Sequence, residues 1–304
     1  MPIQMPCRFV VLLTSITLCI ALLIGGCDST PGVQDTIASP SPDPSNKALF
    51  IIGGGTQPPA MVERMVHEAG VDTTGHAVIL PMAAASPIDA IDEVRTRLQE
   101  AGAQTVEGIR MAEGTTPSED DLATIRSAHL VYLTGGDQRR FMDAVDDTPV
   151  IEAIRDSYDN GALVAGTSAG AAVMGPRVIT GDEQRHDEYS STFRTLESDN
   201  LILRDGLDLL PNVIVDQHFI YRSRYNRLLT TVLEDPSMVG LGIDESTALL
   251  ITEEGTEVVG EWQVVVIRNP NSDTRRADNL LGGRGLMIDI YLPGESVELP
   301  EALR

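Results

Sequence analysis

Apolar residues fall into short unbroken runs, separated by stretches in which they recur every three or four positions. The runs at 48–52, 77–81, 129–133, 162–165, 213–215 and 238–243 have the length of buried strands and are bounded by glycine, proline or asparagine turns. Between the first two, residues 59–69 place Met61, Val62, Met65 and Val66 on one face and stop at Gly70. Residues 88–101, closed by Gly102, and residues 221–233 carry similar helical signals. Thr116-Pro117 opens another helix as N-cap and first helical residue. Strand and helix in alternation predict an α/β chain of three layers, α/β/α, around a mainly parallel, doubly wound sheet. Residues 257–259, 263–267 and 286–291 predict late strands, antiparallel to the rest.

The amino-terminal end has a different pattern. Arg8 precedes an apolar stretch over 9–24 that ends Ile24-Gly25-Gly26-Cys27, which describes a secretory signal rather than a structural helix. This ending resembles a bacterial lipobox, and the resemblance implies cleavage before Cys27 and a lipid on that cysteine. An uncleaved membrane anchor is the alternative; both place the domain outside the cytoplasm. Residues 28–46, with Ser39-Pro40-Ser41-Pro42-Asp43-Pro44 at the centre, read as an extended tether. The expected organisation is therefore a signal over 1–26, a tether over 27–46 and a single α/β domain over 47–304.

Composition narrows the chemistry. The net charge of −23, with Lys47 the sole lysine, argues against a nucleic-acid partner. The cysteines are Cys7, Cys19 and Cys27, so the expected domain has no thiol for a disulfide, a metal site or a nucleophile. Serine is the nucleophile that remains. Gly166-Thr167-Ser168-Ala169-Gly170 follows an apolar strand and precedes Ala171-Ala172-Val173-Met174, which is the Gly-x-Ser-x-Gly elbow: a sharp strand-to-helix turn that exposes one serine. An ordinary turn with a capping serine fits the same letters.

A serine nucleophile needs a base. His67 lies in a helix, His76 in a turn, His129 at a strand's start and His186 in the polar stretch 180–201, which reads as a mobile loop or lid. His218 alone sits at a strand's carboxyl end, after Asp216-Gln217, and is the natural partner, with a core histidine as the alternative. The strand over 238–243 leads to Asp244 and Glu245; if it continues, the two project to opposite faces, so only one can support His218. Thr134-Gly135-Gly136-Asp137-Gln138 lies where open α/β sheets place ligands and reads as a second wall of the serine site or as a plain tight turn. Arg222, Arg224 and Arg227 offer a carboxylate clamp or surface ion pairs. Arg224 and Arg227 share a helical face, and Arg222 joins them only if the helix begins after it, for instance with Ser223 as N-cap.

Several separated stretches together resemble one family. Ile51-Ile52-Gly53-Gly54-Gly55, Leu133-Thr134-Gly135-Gly136-Asp137-Gln138, Gly166-Thr167-Ser168-Ala169-Gly170, Asp216-Gln217-His218-Phe219 and Gly242-Ile243-Asp244-Glu245-Ser246-Thr247-Ala248 look like cyanophycinase, over residues 48–267. The resemblance implies a serine hydrolase of the class I glutamine-amidotransferase-like fold, related to peptidase E, with Ser168, His218 and Glu245 as the triad. It implies Gln138, Asp216, Gln217, Arg222, Arg224 and Arg227 as substrate-binding residues. The backbone N–H groups of Ala169 and Gly136 are the expected oxyanion donors. The implied substrate is cyanophycin, a polyaspartate bearing arginine on each side-chain carboxyl, and the implied product is β-aspartyl-arginine. Neither metal nor cofactor is implied, and the family points to a homodimer. Asp137 stands where the family usually has asparagine. A peptidase E-like aspartyl dipeptidase and a non-catalytic polymer-binding lipoprotein are the competing expectations.

Overall fold

A computed structural model describes residues 42–299 apart from 112, 113, 187 and 189; the expected signal segment and Cys27 lie outside these residues. Four of the apolar runs form β1 (Ala48–Ile52), β2 (Ala77–Leu80), β4 (Leu130–Leu133) and β5 (Leu163–Thr167), and the short edge strand β3 (Val106–Gly108), outside those runs, joins them. These strands pair in parallel, in the order β1-β5-β4-β2-β3. Helices α1 (Pro59–Glu68), α2 (Pro87–Glu100), α3 (Glu119–Arg126), α4 (Gln138–Val145) and α5 (Val150–Asp159) lie between them in sequence. A strand buried on both faces must be apolar throughout. In β1, Leu49 and Ile51 join one apolar core, while Phe50 and Ile52 join a second.

After the elbow come α6 (Ala169–Ala172), β6 (Arg177–Glu183), β7 (Leu201–Asp205), β8 (Val213–Gln217), α7 (Tyr225–Glu234) and β9 (Val239–Ile243). The chain ends in β10 (Thr247–Thr252), β11 (Gly255–Gly260), β12 (Val264–Arg268), β13 (Thr274–Ala277), β14 (Leu280–Gly283) and β15 (Met287–Tyr291). The late strands are antiparallel: β10 adds to β1, β11 to β10, β12 to β9 and β15 to β12. They do not all extend one sheet. Strands β15-β12-β9-β8 make a second sheet, in which β8 and β9 are parallel.

The two sheets meet at one corner. The chain leaves the second sheet at Ile243 and enters the first at Thr247. Gly53-Gly54-Gly55, at the end of β1, stitches this corner through backbone bonds: Gly53 N–H to Thr247 O (2.9 Å), His218 N–H to Gly53 O (2.7 Å) and Ser246 N–H to Gly54 O (2.9 Å).

Four expectations are corrected. The third helix starts at Glu119, capped by Ser118 rather than Thr116, because Ser118 and Asp121 form a reciprocal capping box. Helix α7 begins at Tyr225 rather than at 221, and Ser223 occupies a left-handed turn (φ 51°) instead of serving as N-cap. Residues 180–201 are not all loop: Thr180–Glu183 belong to β6, which pairs with β7 through Ile179 and Leu203 and buries Val178 and Ile179. The end of the expected tether is folded, since Pro44–Asn46 form a 3-10 turn and Asp43 packs against Gly161, where an added Cβ would lie 1.8 Å from Asp43 O.

Candidate active site

The strand-to-helix break after β5 fixes the serine. Ser168 has φ 52° and ψ −109°, a conformation that costs about 1–3 kcal/mol in a non-glycine residue and that active sites retain. Small neighbours permit the turn: a Cβ on Gly170 would lie 2.3 Å from Leu133 O. Helix α6 is only four residues long and its Ala171 and Ala172 N–H groups already donate to Ser168 O, so it offers the N–H at its first residue rather than an extended dipole. Among the described residues, neither Ala169 N–H nor Gly136 N–H donates to another backbone group or side chain. Gly136, at φ 141°, approaches Ala83 so closely that a Cβ would sit 2.1 Å from its carbonyl oxygen.

His218 follows β8 at φ 49° and reaches Ser168 from the second sheet. Its Nε2 lies 2.9 Å from Ser168 Oγ, and its Nδ1 lies 2.6 Å from Glu245 Oε1. Asp244 faces elsewhere and accepts a bond from Tyr221 N–H at 2.9 Å. The glycine notch makes room for both partners. A Cβ on Gly54 would lie 2.4 Å from His218 Cε1, and one on Gly55 would lie 2.7 Å from Glu245 Cβ. Hydroxyl, imidazole and carboxylate thus form a continuous hydrogen-bonded chain. Such a chain can deprotonate the hydroxyl and steady the imidazolium that results.

Residues 49–259 match the model of Peptidase family S51. The chain belongs to that family. A cyanophycinase of Trichormus variabilis is 33% identical over 233 residues, covering 75% of this chain and 75% of the relative. One from Geminocystis herdmanii is 33% identical over 229 residues, covering 72% of this chain and 80% of the relative. A crystal structure of a peptidase from an acI-B1 actinobacterium superposes with a TM-score of 0.61 at 21% identity, covering 83% of this chain and 96% of that one, and shows a common fold. The protein is a serine-type peptidase.

Electrostatics around the S51 histidine favour its neutral, proton-accepting form. Burial holds its pKa below the usual 6.5, and the positive charges of Arg222 and Arg224 push the same way against the bond from Glu245, which raises it. The acid limb of kcat/KM, which titrates the base in the free enzyme, therefore falls below that of an ordinary histidine. Substituting Arg222→Gln removes one depressing charge, so the limb moves to higher pH; a pH–rate profile of the two proteins measures this shift.

The expected substrate clamp turns inward. Arg227, among the largest fully buried side chains, donates Nε to Asp216 Oδ2 at 2.6 Å, and its Nη2 bonds Asp216 Oδ1. Arg224, 4% exposed, donates to Gln217 O at 2.8 Å and to Gln217 Oε1. Asp216 and Gln217 are buried with them. In place of a surface clamp, these four side chains form an internal polar cluster beneath the loop that carries His218; Arg222 alone of the three arginines is not buried. Gln138 is likewise committed, its amide donating to Ile179 O (2.8 Å) and Thr180 O (3.0 Å), which pins α4 to β6. Asp137, at the family's asparagine position, caps α4 by accepting from Arg139 N–H at 2.9 Å.

A cavity of about 260 Å³ opens beside Ser168 and His218. Its far wall is a stripe of α2, Ala90-Glu93-Val94-Arg97, with Gln57 and Thr134 completing it. Sequence reading placed the helix but gave it no chemistry. The spacing of these positions, one helical face at i, i+3, i+4 and i+7, was the available signal.

Proposed function

We propose that this S51 peptidase hydrolyses cyanophycin to β-aspartyl-arginine, with Ser168 as nucleophile. His218 Nε2 takes the hydroxyl proton as Oγ attacks an aspartyl backbone carbonyl, and Glu245 orients the imidazole and balances its charge. The oxyanion is held by Ala169 N–H and Gly136 N–H. His218 returns the proton to the departing amine, leaving an acyl-enzyme. Water, deprotonated by the same imidazole, then releases the dipeptide. The observation that carries this reading is the chain Ser168–His218–Glu245, bonded at 2.9 and 2.6 Å. The substrate rests on the relatives named cyanophycinase, which align over about three-quarters of this chain.

Incubation with insoluble cyanophycin tests it: the suspension clears and mass spectrometry finds β-aspartyl-arginine. Intact polymer together with cleavage of simple aspartyl dipeptides would contradict the substrate assignment. The same reading includes a lipid on Cys27 that tethers the domain outside the cytoplasm, where it meets released polymer. Cys27→Ser then moves the protein from the membrane fraction to the soluble one and abolishes fatty-acid incorporation; lipid incorporation unchanged by the substitution would refute that part.

A further inference from the structure

Arg97 is the one lysine or arginine that lines the cavity beside Ser168, among the described residues. Its side chain is 30% exposed, and its ion-pair partner is Glu93, one turn earlier, at 3.4 Å. Glu93 is 72% exposed, and a solvated i,i+4 pair of this kind contributes little and exchanges readily for a better anion. The guanidinium is also under-used behind the surface, since Arg97 Nε is buried without an acceptor. Buried donors left unmet call for an explanation, and function is a frequent one. Beneath it the wall is built rather than incidental: Gln57, 8% exposed, donates to the buried Tyr132 hydroxyl at 2.7 Å. Thr134, 3% exposed, holds an unpartnered Oγ1 at the same cavity. Arg227, by contrast, spends its Nε and Nη2 on Asp216.

We propose that Arg97 receives a free carboxylate of the substrate in the cavity beside Ser168, displacing Glu93. This rests on the cyanophycin reading for the identity of that group. Backbone and side-chain carboxyls of the polymer are consumed in amide bonds, so the carboxylate each repeat leaves free is the α-carboxylate of its arginine branch. A guanidinium at the cavity wall fits that group, and binding there sets the branch beside the scissile carbonyl. Arg97 is thus a specificity-determining residue outside the serine–histidine chain.

The test uses the full chain and two probes, β-aspartyl-arginine and the same dipeptide with its arginyl carboxylate amidated. Each is titrated for protection of Ser168 against a fluorophosphonate, with every constant referred to that variant's own unprotected labelling rate. Charge-assisted bonds of this kind are each worth about ten- to a hundredfold. In the wild type, amidation therefore weakens protection by that factor. In Arg97→Gln, β-aspartyl-arginine binds weaker by the same factor and amidation costs nothing further; Arg97→Lys recovers part of the loss. Equal amidation penalties in wild type and Arg97→Gln, or no protection by β-aspartyl-arginine at all, overturn the proposal. Cyanophycin left intact by a wild type whose protection still depends on Arg97 would sink the substrate assignment and leave this site standing.

Discussion

Ser168→Ala lowers kcat on the polymer by about 10⁶, the scale of loss when a serine–histidine unit is deprived of its nucleophile. The reason is geometric. No other hydroxyl is bonded to His218 Nε2 among the described residues, and the strained turn that presents Ser168 serves one side chain. Because nucleophile and base act as a unit, the double variant Ser168→Ala/His218→Ala is no slower than either single one. Steady-state kinetics on the three proteins measure this; multiplicative losses would mean the two residues act apart. Thermal unfolding changes little in Ser168→Ala, because the alanine inherits the same positive φ and leaves only one hydroxyl bond unmade.

The second large effect falls on stability. Asp216→Ala removes the carboxylate from a side chain with no exposure and strands the guanidinium of Arg227, itself 2% exposed, in the interior. Breaking one half of a buried pair costs about 3–5 kcal/mol, most of it the penalty of an uncompensated charge. Adding Arg227→Met removes that charge and restores much of the loss. Denaturant titration separates this account from a substrate-binding role. If Asp216 served the substrate directly, its variant would keep its midpoint and raise KM alone.

The parts of the site that were legible in the sequence are those set by local geometry. The elbow around Ser168 announces itself because strand, glycine and helix signals coincide within ten residues, and His218 stands out by its place at a strand end. The other features depend on what lies across the fold. Nothing local told that Gly53-Gly54-Gly55 would be the notch that seats His218 and Glu245, since that contact joins residues far apart in sequence. The arginines after His218 read naturally as a surface clamp because charge is usually exposed. Two of them are buried only because Asp216 and Gln217 are buried beside them. Alternation of strand and helix gave the parallel sheet, but the split into two sheets turns on the corner at 244–246, where local pattern shows only a turn. Arg97 is illegible in the sequence for a similar reason: a charged residue on an amphipathic helix looks solvated until the facing wall is known.

The central claim is that the Ser168 hydroxyl is activated by His218. Labelling with a fluorophosphonate, followed by peptide mapping, tests it most directly. The account predicts a single adduct, on the peptide containing Ser168, formed at a rate that rises with the ionisation of an imidazole and collapses in His218→Ala. An adduct on a different residue, or labelling of Ser168 at an undiminished rate without the imidazole, would contradict it.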